Sequence, residues 1–130
     1  MSATTNQTSK QVWIGWILTG LASAMFVMSA SMKLLHGEQV VQGMIHFGFQ
    51  DSMILPLAIL ELTCLAIYLI PVTSVLGAVL LTGYLGGAVC THWRAGESFL
   101  PPLIVGFAVW GGLYLREKRL HALLPLRSKV

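Results

Sequence analysis

The sequence predicts an all-α membrane protein: a bundle of four transmembrane helices with short connections and an interfacial or partly re-entrant first loop. Three observations carry this. Hydrophobic residues make up 55% of the chain and charged residues only 10%, where soluble domains carry roughly 25% charged residues. The mean hydropathy is +0.75. Four apolar runs, about 12–35, 52–70, 74–91 and 99–115, are each near the length that crosses a hydrocarbon core about 30 Å thick. Inside lipid every backbone N–H and C=O needs an internal partner, so these runs are expected to be helices. The 130 residues suffice for one domain.

Residues 1–11, MSATTNQTSKQ, are polar and lack an apolar period, which predicts a disordered start. The first helix is expected over 12–35. Its Ala22-Ser23-Ala24 has the small-residue look of a signal-peptide cleavage site, yet the only preceding basic residue is Lys10 and the run continues to Leu35. It therefore reads as a retained span. The loop HGEQVVQGMIHFGFQD follows, with Val40, Val41, Met44 and Ile45 at helical spacing. That pattern predicts a short helix lying in the interface or partly re-entrant, with a plain loop as the alternative. The second helix is expected over 52–70. Pro71 ends it and Thr73 or Ser74 caps the third, over 74–91. Pro101 and Pro102 fall in the first turn of the fourth, over 99–115, where proline is tolerated.

The tail, 116–130, holds Arg116, Lys118, Arg119, Arg127 and Lys129 against one acid, Glu117. With Lys10 that makes six cations on the side of the termini, against Lys33 and Arg94 on the other. The positive-inside bias then places both termini in the cytoplasm. Beside membrane helices, the basic tail reads as a topology signal that contacts anionic lipid, and no aromatic-interleaved basic face points to nucleic acid. Cys64 and Cys90 form no CxxC motif and lie in apolar runs, as packed thiols do.

The polar residues inside the spans are concentrated. Glu61 lies eight residues into the second helix, about 12 Å from its outer end at 1.5 Å per residue. Tyr84 lies at a similar depth on the third, on one face with Ala88, Thr91 and His92. Lys33 ends the first helix, one turn beyond Ser29. An intramembrane ionisable residue usually faces the interior and has a partner. Lys33, Glu61, Tyr84, Thr91 and His92 are therefore the candidate ligand-binding residues of a polar pocket in the outer half. Lys33 is the first-choice partner of Glu61, with Tyr84 or His92 next, and a protonated Glu61 is the alternative. Glu61 is also the candidate proton carrier, and no residue stands out as catalytic. The competing reading makes these groups glue between helices, with no ligand. Gly83, Gly86 and Gly87, with Gly77 a turn and a half earlier, form a small-residue face expected to let another helix approach closely, or, less favoured, to leave room for a flat ligand. His36, His46 and His92 match no metal-ligand spacing, and no metal is expected.

Lys33, the HFGF before the second helix, the PLAILE that carries the acid, and VLGAVLLTGYLGGAVCTHWRAGE together resemble the DoxX-like family of small four-helix membrane proteins. The resemblance covers about Val12 to Leu115, and the helix-three stretch is its most specific part. It implies a four-helix bundle in the bacterial inner membrane. It also implies a subunit or accessory protein of a membrane redox system, with a quinone as the cofactor or ligand and a membrane oxidoreductase complex as a partner. The chain carries no redox motif of its own, so catalysis by this chain alone is not expected. A non-catalytic assembly factor is the alternative reading and a small transporter the weaker one. A homo-oligomer is compatible with four short helices, while the sequence does not count subunits.

Overall fold

A computed structural model describes residues 8–128. The described residues form helices joined by short turns, with no strand. Helix α1 spans Ser9–Leu35. It starts ahead of Val12 because Thr8 and Gln11 form a capping box, each side chain accepting the other's backbone N–H at 3.3 Å. The expected disorder of 1–11 is thus overturned from Thr8 onward, and its first seven residues lie outside the described residues. His36 ends α1 in the left-handed region, φ 54°.

The first loop folds as a nine-residue helix, α2, Glu38–His46. Val40, Val41 and Met44 turn partly inward and Ile45 is exposed. A 3-10 turn at Asp51–Met53 leads into α3, Ile54–Leu69. A second 3-10 turn, Pro71–Thr73, joins it to α4, Ser74–Arg94. Here one expectation fails. Neither Thr73 nor Ser74 caps α4 with its side chain. Thr73 Oγ1 donates to Ile67 O at 2.7 Å and Ser74 Oγ donates to Ile70 O at 3.0 Å. In so tight a turn the hydroxyls reach back to carbonyls at the end of α3 and just beyond it. Helix α4 also runs one turn past Thr91, to Arg94. Helix α5, Leu100–Arg116, opens with Pro101 and Pro102 in its first turn, as expected.

The four long helices form an antiparallel ring in which α1 packs on α3 and α5, and α4 packs on the same two. Inside it lie Phe26, Leu65, Tyr68, Leu81, Val109 and Leu113, all buried. The outer surface is apolar too: Leu21, Met28, Ile59, Val79, Ile104 and Phe107 are exposed. A surface of that kind suits lipid. Three helical stretches, Ser9–Leu35, Asp51–Leu69 and Pro71–Arg94, are long and apolar enough to cross a membrane. Helix α5 is apolar but has 17 residues, about 26 Å of rise.

Of the α4 glycines that the sequence singles out, Gly77 makes a close backbone approach and Gly83, Gly86 and Gly87 do not. A Cβ on Gly83, Gly86 or Gly87 would meet nothing within 4 Å. A Cβ on Gly15 would lie 2.8 Å from Gly112 O, one on Gly112 would lie 2.6 Å from Thr19 Oγ1, and one on Gly77 would strike the Tyr68 backbone. Glycine therefore packs α1 on α5 and α4 on α3. At Gly83, Gly86 and Gly87 neither neighbour of α4 comes that close.

Beyond α5 the chain turns back in a 3-10 segment, Lys118–Ala122, and buries Leu120. His121 stacks on Tyr114 at 4.2 Å. Arg119 closes a two-point ion pair on Glu117, 2.9 Å at each contact, and holds that carboxyl down at about 2.

Candidate functional site

Glu61 is 2% exposed. It stands on the inner face of α3 with Ala58, Cys64 and Leu65, where the ring is lined by neighbours on both sides. A bare carboxylate in such a place is costly. Three donors converge on one of its oxygens. Lys33 Nζ lies 3.0 Å from Oε2, the Tyr84 hydroxyl 3.2 Å and the Ser29 hydroxyl 3.3 Å. Lys33 also donates to Ser29 Oγ at 2.7 Å. The i, i+4 spacing of Ser29 and Lys33 makes that bond possible within α1. The matching depths of Glu61 and Tyr84 on antiparallel helices bring in the rest.

The other oxygen, Oε1, accepts no hydrogen bond from the described residues. Glu61 itself borders open space. The open space beside Glu61 is a cavity of about 660 Å³ at the α2 end of the bundle. Lys33, Glu61, Tyr84, Thr91 and His92 all border it, and so does Ser29. Gly83 and Gly87 border it as well, so they leave room where a helix contact was expected. Ligand pockets commonly measure about 300–1,000 Å³, mostly apolar with a few convergent polar groups. Apart from the Glu61 wall, this one is lined largely by Met25, Phe26, Phe47, Phe49, Leu57 and Val105.

His92 and Thr91 border the cavity without joining the carboxylate cluster. His92 Nδ1 lies 2.7 Å from Ala88 O and its ring packs on Phe47 at 4.7 Å. The Thr91 hydroxyl donates to Gly87 O at 2.7 Å, one turn back in its own helix. Of the two next-choice partners, Tyr84 reaches Glu61 and His92 does not: its position near the end of α4 directs it to Phe47, just past α2. Sequence reasoning missed the roof. Met44, Phe47 and Phe49 reach the cavity from α2 and the segment after it. Arg94 donates to Phe47 O at 2.6 Å. His46 pairs with Glu97 at 3.2 Å and His36 with Asp51 at 2.7 Å. The apolar spacing in the loop was the signal for this roof, but spacing alone does not say what it covers.

A second polar cluster lies at the opposite end, where the sequence suggested none. Arg116 folds back into the bundle, with Nε 3.1 Å from Thr19 Oγ1 and the guanidinium 4.4 Å from the Trp16 ring. The Tyr68 hydroxyl donates to Val109 O at 2.7 Å and lies 3.4 Å from the same threonine. Assigning Arg116 to the tail hid it, because its register on α5 is inward only once α5 meets α1. Among the described residues no set of three His, Cys, Asp or Glu comes together to hold a metal ion.

These features define a class: a small, all-helical membrane protein with an apolar-walled cavity and one buried ion pair on its wall. Within that class the chain belongs to the DoxX-like family, whose sequence pattern matches residues 17–112. No curated protein and no solved structure matches it.

Proposed function

We propose that this chain is a small subunit or accessory protein of a membrane redox system, and that its cavity binds a quinone-like or lipid molecule by the polar end. One observation carries the reading: the polar wall at Glu61 closes one side of an otherwise apolar cavity of about 660 Å³. Lys33, Glu61 and Tyr84 hold the polar end of the ligand, Thr91 and His92 lie toward the mouth, and the aromatic roof covers it. In this reading α5 crosses the membrane as a fourth span, within the bacterial inner membrane. Both termini lie in the cytoplasm, as the six-against-two cation bias suggests. The basic tail then meets anionic lipid, and a membrane oxidoreductase complex or a second copy of the chain is the expected companion.

The open glycines of α4 favour a second reading, a non-catalytic assembly factor. With nothing within 4 Å of a Cβ at Gly86, that face is available to a partner helix. Native mass spectrometry of the gently extracted protein, wild type beside Glu61→Gln, separates the two. The first reading expects a small-molecule adduct on the wild type that the variant loses. A stoichiometric protein companion in both samples, with no adduct in either, sinks it in favour of the second.

A further inference from the structure

The cavity wall also specifies the chemistry of the ligand's polar end, given the reading that the cavity binds an amphiphile. Glu61 Oε2 is occupied by three donors, while Oε1 accepts nothing from the described residues and the Glu61 side chain lines the cavity. A carboxylate oxygen can only accept. Beside it, Lys33 Nζ spends two hydrogens, on Ser29 Oγ and Glu61 Oε2. An ammonium has three. The wall therefore presents one vacant acceptor next to one unspent donor. The two charges cancel, since Lys33 and Glu61 are a contact pair at 3.0 Å.

We propose that the site selects a neutral hydroxyl: a group that donates to Glu61 Oε1 and accepts from Lys33 Nζ with the same oxygen. A phosphate or carboxylate head would place a negative charge against Oε1. A quaternary ammonium would confront Lys33 and has no hydrogen to give. A quinone carbonyl satisfies Lys33 but leaves Oε1 unpaired in an apolar surround, which carries a penalty. Its reduced form, a hydroquinone, pairs with both. An aliphatic alcohol at the end of a lipid chain offers the same chemistry without the ring. For a quinone-like ligand, the cavity thus holds the reduced form in preference to the oxidised one.

The test is a titration of the full chain in detergent under anaerobic conditions, read as ligand occupancy by native mass spectrometry. The probes are a decyl-substituted benzohydroquinone, its quinone, its dimethyl ether, dodecanol and dodecanoic acid. The hydroquinone is expected to bind roughly tenfold or more tightly than the quinone and the ether, and the acid more weakly than dodecanol. Dodecanol matching the hydroquinone supports the proposal and assigns an aliphatic alcohol; a hydroquinone far ahead of dodecanol supports it and assigns the aromatic head. The preference should vanish in Glu61→Gln, whose amide offers both donor and acceptor. A quinone or ether that binds as well as the hydroquinone overturns the hydroxyl assignment while leaving the cavity a binding site. A preference that persists in Glu61→Gln overturns the role of that oxygen. Failure of every probe to bind overturns both this inference and the reading it rests on.

Discussion

Glu61 is tolerated at a buried position because Lys33, Tyr84 and Ser29 all donate to it. The pair has little water to fall back on, with the lysine side chain 12% exposed and the glutamate 2%. Removing one member of such a pair strands the other, at about 3–5 kcal/mol, whereas removing both relieves most of that. Lys33→Met is therefore expected to lose stability on that scale, and Lys33→Met with Glu61→Met to regain most of it. Unfolding in mixed micelles measures both. A single-variant loss below about 1 kcal/mol would mean that Glu61 needs no cation and that its hydroxyl donors suffice.

At the scale of elements, the glycines divide into those that bring helices together and those that leave space. Gly77 sits against the Tyr68 backbone, which cannot step aside as a flexible side chain would. Gly77→Ala should drive α4 off α3 and cost about 2 kcal/mol or more. Gly86→Ala meets nothing within 4 Å, so the usual helix preference for alanine should show, a gain of up to about 1 kcal/mol. Thermal unfolding of the two variants side by side decides the matter. Equal losses would mean that the Gly86 face is packed against something, as in a self-associated form. The hydroxyls follow the same logic of local satisfaction. Ser23, Thr63, Thr82 and Thr91 each donate to the carbonyl four residues back, so no hydroxyl among them needs water.

For the molecule as a whole, the cavity end and the tail end differ in how they close. At the tail end the ring is tight: Gly15 against Gly112, Tyr68 across to Val109, and Arg116 laid on Trp16. At the cavity end the helices are roofed by α2, which has no buried residue of its own. The roof is held by polar ties, chiefly Arg94 to the Phe47 carbonyl and two histidine–carboxylate pairs at the surface. Exposed ties of this kind contribute little each, so the roof should open far more readily than the bundle unfolds. Arg94→Ala is expected to speed amide hydrogen exchange across 38–49 severalfold while leaving the bundle's melting temperature within about 2 °C. A matching fall in melting temperature would make the roof part of the core.

The helical class, the membrane character and the depth of Glu61 beside Lys33 and Tyr84 were determined by the sequence alone. Their physical basis is local: run length against bilayer thickness, and 1.5 Å of rise for every residue. The proline-led start of α5 was legible for the same reason. The tertiary structure decided which face of each helix meets which neighbour. That choice put the close contacts at Gly15, Gly77 and Gly112 and left Gly83 and Gly87 open to the cavity. It turned Arg116 inward and His92 toward Phe47. It also crowded every donor onto one oxygen of Glu61. Rotation about a helix axis and the convergence of side chains from three helices depend on packing between segments far apart in the chain, and no local spacing encodes them.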